Sequence, residues 1–392
     1  VLLRELFYRE AAEPKVQDFG RPFNHPEHLV FFYGTDGALE ALQHFEEVVG
    51  EKPGKTSVRR KWDGAPQVYW GREEKNGPLI LAGHNGWARG AKSTNPREVY
   101  DFIANQSGKP KTPEDAKNRD LFAKNFANLY PLFDAATPQD FVGFVYADAL
   151  FGVDPGRPKV LEKASGYPSG VWTFAPNPKS NTAYHVDAES ELGQSIGQAQ
   201  VMVVGHATFP EFGAADKLQQ PKDDFSEFNG TLGLIVQGPI YVESAPEFDT
   251  SPIAELKKYI KQHKAVIDGF LSSLPVPDKN GIFYPFTNAM NKDGSFDAVD
   301  NTAFINWMTQ KGVSAKKQEH IQSMMQAHPG GLDAIWHLMK EIRNMKDAMD
   351  AAIKQQPRKE IWDSNGEGHV RYANPAKHKF GNVKFVPTSW TP

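Results

Sequence analysis

The chain is 392 residues long, with a formal net charge of −4, 40% hydrophobic residues and no cysteine. That length holds one or two domains, the apolar share fills a core, and the balance fits neither global disorder nor a chain-wide basic field for nucleic acid. Without cysteine there is no disulfide, no thiolate metal site and no cysteine nucleophile, a usage that fits a reducing compartment.

Residues 1–7, VLLRELF, mix charge into an apolar turn and read as a short amphipathic helix, not a secretion signal. No stretch approaches the roughly 20 apolar residues of a membrane helix, so no membrane partner is expected. Leu39, Leu42, Phe45 and Val49 repeat at three- and four-residue spacing, which predicts a helix over 36–49 ended by Gly50. The period then changes. Residues 67–70 and 79–82 read as strands, with the turn pair Asn76-Gly77 between them. Asn95-Pro96 and Thr112-Pro113 each place a capping residue before a proline, which predicts helices over 96–106 and 113–133. Residues 141–150, FVGFVYADAL, form a buried strand, followed by further strands near 171–174, 182–186, 200–206 and 232–236.

From Ser251-Pro252 the pattern is helical: about 251–274, 302–311, 314–328 and 332–356. The last carries Leu332, Ile335, Leu338, Met339, Ile342, Met345, Met349 and Ile353 on one stripe. Residues 369–386 return to strand, with turns at Asn374-Pro375 and Gly381-Asn382. The expected class is α+β: an antiparallel-sheet core over 1–250 and 358–392, with a helical insertion at 251–357.

Lys61-Trp62-Asp63-Gly64 puts an amine, a carboxylate and a flexible glycine within one turn. Covalent nucleotidyl transfer needs such a set. A lysine amine attacks the α-phosphorus of a nucleoside triphosphate and pyrophosphate leaves. Nearby cations or desolvation must lower the pKa of that amine. Carboxylates must hold a divalent metal, cationic side chains must stabilise phosphate charge, and an apolar or aromatic slot must take the base.

The order of motifs resembles that of the covalent nucleotidyltransferase superfamily, which includes ATP-dependent DNA ligases, RNA ligases and mRNA capping enzymes. Lys61-Trp62-Asp63-Gly64 matches its Lys-x-Asp-Gly motif, FVYADALF at 144–151 resembles its acid-bearing strand, EGHV at 367–370 its Glu-Gly motif, and NVKFV at 382–386 its final lysine strand. FGRPFNH at 19–25, RKWDGAP at 60–66 and FAPN at 174–177 are similar in wording to ligase-like proteins of bacteriophages, marine ones especially. The resemblance implies a nucleotidyltransferase fold of the ligase-adenylation, ATP-grasp-like kind. It implies Lys61 as the nucleophile forming lysyl-AMP from ATP, with Asp63 and Gly64 completing its motif. It further implies Asp148 on the ribose, Phe174 or Tyr184 near the base, and Arg89 or Lys92 as the cation after the hairpin. Glu367 would hold Mg2+ and Lys384 would contact the α-phosphate. AMP would pass to a 5′-phosphorylated end and a 3′-hydroxyl would displace it. The implied partner is nucleic acid with nicked or broken ends, RNA ahead of DNA, in the cytoplasm of an infected cell.

The sequence departs from the pattern in places. Pro66 stands where many members have arginine, and Asp148 where glutamate is commoner. The sequence ends at Pro392, eight residues past Lys384 (392 − 384), so no OB-fold is expected and the helical insertion takes its place as substrate clamp. The rival expectation is a non-catalytic, virion-associated phage protein that keeps the fold and binds other phage proteins, since function belongs to the site. His206 reads as a satisfied buried histidine, Asp347 and Asp350 as solvated helix surface, and the methionines from Met324 to Met349 as packing. The absence of His-x-x-x-His spacing speaks against zinc.

Overall fold

The computed structural model describes residues 23–52, 56–105, 110, 112–176, 182–214, 219–275, 278–355, 360–363, 368–374 and 376–387. The expected helix at 1–7, most of the segment at 19–25, and Glu367 lie outside them. The chain divides into two compact units: Val1–Val58, Val242–Gln356 and Gly368–Ser389 make the first, and Arg59–Tyr241, Pro357–Glu367 and Trp390–Pro392 the second. The described architecture is mixed α+β with mainly antiparallel sheets and no closed barrel.

In the second unit, the strand Gln67–Arg72 forms a hairpin with Ile80–Gly83 and pairs on its other side with Gly143–Phe151, which in turn pairs with Val201–Phe209. Asn76 at φ 59° supplies the expected turn. Leu234–Gln237 joins Val201–Phe209 in parallel. Side chains alternate across a strand, so one face presents Val68, Trp70, Val145, Ala147 and Val203. This face packs on the helices Pro96–Ala104, Pro113–Asn128 and Tyr130–Ala136 through Val99, Phe126 and Phe133. The two expected helix starts are capped as read: Asn95 accepts from the Glu98 N–H, and Thr112 and Asp115 form a capping box. The single helix expected over 113–133 is two, because Pro131 brings no N–H to a continuing ladder and sits in the first turn of a new helix. The opposite sheet face carries Tyr69, Phe144 and Phe209 against Trp87, then becomes polar at Gln67, Tyr146 and Asp148. A smaller antiparallel sheet follows the order Ile361–Asp363, Tyr184–Asp187, Tyr167–Phe174, Val160–Ala164.

The first unit is mainly helical. His28–Val49, Ser251–Ser272 and Gly331–Lys354 share one core that includes Leu42, Phe45, Ile260, Phe270, Ile335 and Ile342. The residues 251–354 therefore do not form a unit of their own; their apolar stripes are covered by the N-terminal helix. That helix has non-helical backbone at Gly34, φ 67°, where an added Cβ would lie 2.5 Å from Asp268 Oδ1. The sequence pattern read only its regular part beyond this break. The strand Asn382–Phe385 lies between Phe23–Asn24, in parallel, and His369–Arg371, antiparallel. Val58–Arg60, where the chain passes to the second unit, ends this sheet. A charged pair is closed inside the first unit. Lys346 Nζ donates to Glu27 Oε1 at 2.5 Å with both side chains at 2% exposure or less. Asp350, expected in solvent, is 1% exposed and lies 2.6 Å from Lys354 Nζ and 3.1 Å from His369 Nδ1. Asp350 is buried because the helix that bears it is covered on more than its apolar stripe. No helix among the described residues is long and apolar enough to cross a membrane.

Candidate functional site

The Lys61–Gly64 motif is a four-residue span anchored at both ends. On its N-terminal side Arg60 N–H donates to Ile240 O at 2.8 Å. On its C-terminal side Ala65 N–H donates to Ala149 O at 3.0 Å, and Ala149 N–H donates to Pro66 O at 2.9 Å, across a cis Ala65–Pro66 bond. In between, Trp62 is buried against Tyr184, with ring centroids 5.0 Å apart, while Lys61 and Asp63 are half-buried. The Asp63 N–H donates to the Tyr184 hydroxyl at 2.6 Å. Burial above all, then the charges of Asp63 and Asp363, pushes the Tyr184 pKa up and keeps that hydroxyl protonated. The Arg60 guanidinium donates to Ile361 O at 2.5 Å. Burial lowers its pKa, opposed by Asp363 and Tyr184, yet an arginine stays cationic through such a shift.

Gly64 is required by close approach. A Cβ there would meet Asp148 Cβ at 2.5 Å and Ala149 O at 3.1 Å. The motif therefore rests directly on the strand that carries Asp148, the acid the resemblance pairs with it. Asp148 sits opposite Gln67 and Val204 in the sheet. Its Oδ1 is buried with no hydrogen-bond partner, and its Oδ2 lies 3.1 Å from His206 Nε2.

His206 owes its position to a β-bulge. Tyr146 pairs with Ala207 and Ala147 with Gly205, which leaves His206 as the extra residue, turned toward Asp148 and 5.1 Å from the Tyr146 ring. Its side chain is 18% exposed and Nε2 makes no hydrogen bond, so it is not the satisfied core histidine expected from the sequence. The signal for it was present: an isolated glycine, Gly205, inside a strand pattern marks a bulge. Sequence reasoning also missed Gln67 and Tyr146, where Gln67 Nε2 donates to the Tyr146 hydroxyl at 3.0 Å. Tyr146 stacks on Tyr69, and Tyr69 on Trp87, at 5.1 and 4.5 Å. These contacts lead to the helix His84–Ala88, after which Arg89 is exposed. Lys92 pairs with Glu73 at 2.7 Å.

Asp63, Gly64, Asp148 and Tyr184 are thus brought together in one place. Phe174 lies 6.0 Å from Tyr184, and both rings are closed into a core with Phe151, Val186 and Ile361, at 1% and 0% exposure. Lys384 belongs to the first unit, half-buried between the inward-facing Val383 and Phe385 and opposite Val370.

A sequence model of a family of unknown function, DUF6267, matches residues 22–82, a segment that includes Lys61, Asp63 and Gly64. No curated protein and no solved structure matches the chain.

Proposed function

We propose that the chain is an adenylyltransferase of the polynucleotide-ligase type, with Lys61 as its nucleophile. One juxtaposition supports this reading: the lysine motif rests through Gly64 on Asp148, whose buried Oδ1 has no hydrogen-bond partner. In the first step Lys61 Nζ gives its electron pair to the α-phosphorus of ATP. The bond from that phosphorus to the bridging oxygen breaks, pyrophosphate leaves and the amine loses a proton, giving a lysyl-AMP phosphoramidate. Asp148 Oδ1 accepts from a ribose hydroxyl, and Arg60 adds positive charge beside the span. By the resemblance Glu367 would supply a carboxylate oxygen for Mg2+, and the ion would neutralise phosphate charge. Lys384 is assigned to the α-phosphate by the resemblance alone. AMP then passes to a 5′-phosphate end, RNA ahead of DNA, and a 3′-hydroxyl displaces it.

The test is incubation with α-labelled ATP and Mg2+, followed by denaturing electrophoresis. A covalent label on the wild type that is absent from Lys61→Ala supports the reading. A correctly folded wild type with no label from ATP, GTP or NAD overturns it. That outcome favours the second reading, a phage virion-associated protein that keeps the fold without catalysis. Its supporting observation is the closure of Phe174 and Tyr184, the rings assigned to the base, inside the core.

A further inference from the structure

Glu40, His44 and His378 meet inside the first unit. Glu40 and His44 lie one turn apart on His28–Val49, and His378 follows the strand His369–Arg371. All three are buried, the histidines to 0% and 2% exposure. Glu40 Oε1 is 4.0 Å from His44 Nε2 and 3.9 Å from His378 Nδ1. Three donor atoms, one from each side chain, lie within 4.8 Å of one another. Neither of those two imidazole nitrogens has a hydrogen-bond partner. Buried polar atoms are ordinarily satisfied, yet here two unmet nitrogens flank one carboxylate oxygen.

The surroundings orient these groups. Glu47 Oε2 is 2.8 Å from His378 Nε2, which holds the ring proton on that nitrogen and leaves the Nδ1 lone pair toward the cluster. A carboxylate behind a histidine is the usual support of a metal ligand. Glu40 is fixed by backbone N–H groups of Lys379, at 2.9 Å, and Phe380, at 2.8 Å. Burial, then the charge of Arg371, lowers the His44 pKa to about 2, so this ring is neutral.

We propose that Glu40, His44 and His378 form a binding site for one divalent transition-metal ion of the zinc class. Two nitrogens and one carboxylate oxygen suit Zn2+ or Co2+ better than Mg2+ or Ca2+. Bond lengths of about 2.0–2.1 Å put tetrahedral donors about 3.4 Å apart, so the Glu40 edges close by roughly half an ångström. An imidazole binds a metal in its own plane, so the two rings tilt out of their stacked arrangement, now 4.1 Å between centroids. Protons balance as follows. Arg371 donates to His44 Nδ1, so the neutral ring carries its proton on Nε2. On metal binding that proton moves to Nδ1, and Arg371 withdraws to Glu47 Oε2 and Ser57 Oγ, which it already contacts at 2.6 and 2.8 Å. The ion takes the place of a guanidinium and ties the N-terminal helix to the turn before Asn382–Phe385. A fourth position is left for water.

The experiment uses the full chain, stripped with chelator and titrated with Co2+, then Zn2+. One equivalent of Co2+ is expected to bind with a visible d–d absorption that Zn2+ abolishes, and Zn2+ raises the Tm by several degrees. Glu40→Gln and His378→Asn weaken Co2+ binding at least tenfold, whereas Arg371→Gln does not weaken it. The proposal fails if the wild type shows no saturable binding at about 100 µM ion, or if both ligand variants bind as the wild type does. If a variant does not fold, the wild-type spectrum and Tm shift decide alone.

Discussion

Replacing Gly64 by alanine tests how the lysine motif is seated. The new Cβ would lie 2.5 Å from Asp148 Cβ, 3.3 Å from Asp148 C and 3.1 Å from Ala149 O. Carbon atoms settle at about 3.5–4.0 Å, so one side must move by roughly an ångström. Asp148 and Ala149 lie on a strand paired on both sides, so the span yields, and the bonds Ala65 N–Ala149 O and Ala149 N–Pro66 O are the ones stretched. Overpacking costs about 1–3 kcal/mol, and each weakened hydrogen bond about 1 kcal/mol. The lower entropy of unfolded alanine offsets about 0.4–1 kcal/mol. The net expectation is a loss of about 2–5 kcal/mol, a Tm fall of roughly 4–20 °C for a unit of this size. Urea unfolding followed by circular dichroism and tryptophan fluorescence measures it; Trp62, Trp70, Trp87 and Trp172 report on this unit. A change under about 0.5 kcal/mol, the ordinary range of a surface substitution, refutes the seating of Gly64 on Asp148.

Two further outcomes follow from buried polar groups. Glu27→Gln or Lys346→Met alone leaves a charge closed in the first unit and costs about 3–5 kcal/mol; Glu27→Leu with Lys346→Met costs less than the sum, measured by urea unfolding of the four proteins. Tyr130→Phe removes a hydroxyl that donates to Leu79 O and Thr94 O at 2.7 and 2.6 Å and lowers stability by about 1 kcal/mol. Burial, then the charge of Asp134, pushes the Tyr130 pKa up to about 12. Because the folded value lies above the unfolded one, this contribution is full below pH 10 and is lost as pH rises toward 12. The gap between wild type and Tyr130→Phe is therefore expected to narrow above pH 10, and an unchanged gap refutes the assignment.

Local chemistry was legible in the sequence, and long-range assembly was not. Asn95, Thr112 and Asn76-Gly77 announced their caps and turn, because each acts within four residues. The strand bearing Asp148 was readable from its apolar run, and the alternation around Lys384 from its period of two. The bulge at His206 was missed, since a bulge changes pairing and leaves only Gly205 as a trace. Asp350 was placed in solvent because nothing in its own helix reveals that His369, from a strand 19 positions on, covers it. Glu40 and His44 carry helical ligand spacing, but the third group stands 334 positions further on (378 − 44).

The division of the chain bears on the order in which it matures. The second unit draws nearly all its residues from one uninterrupted stretch, Arg59–Tyr241, and among its described strands Ile361–Asp363 is the one added later, at an edge. The first unit is split in three, and its sheet lacks a middle strand until Asn382–Phe385 has been synthesised. Early in translation, then, the N-terminal helix exposes an apolar face whose covering helices emerge some 200 residues later, by the difference between Val49 and Ser251. During that interval the nascent chain presents the surface that chaperones recognise, while the lysine motif already has its seat.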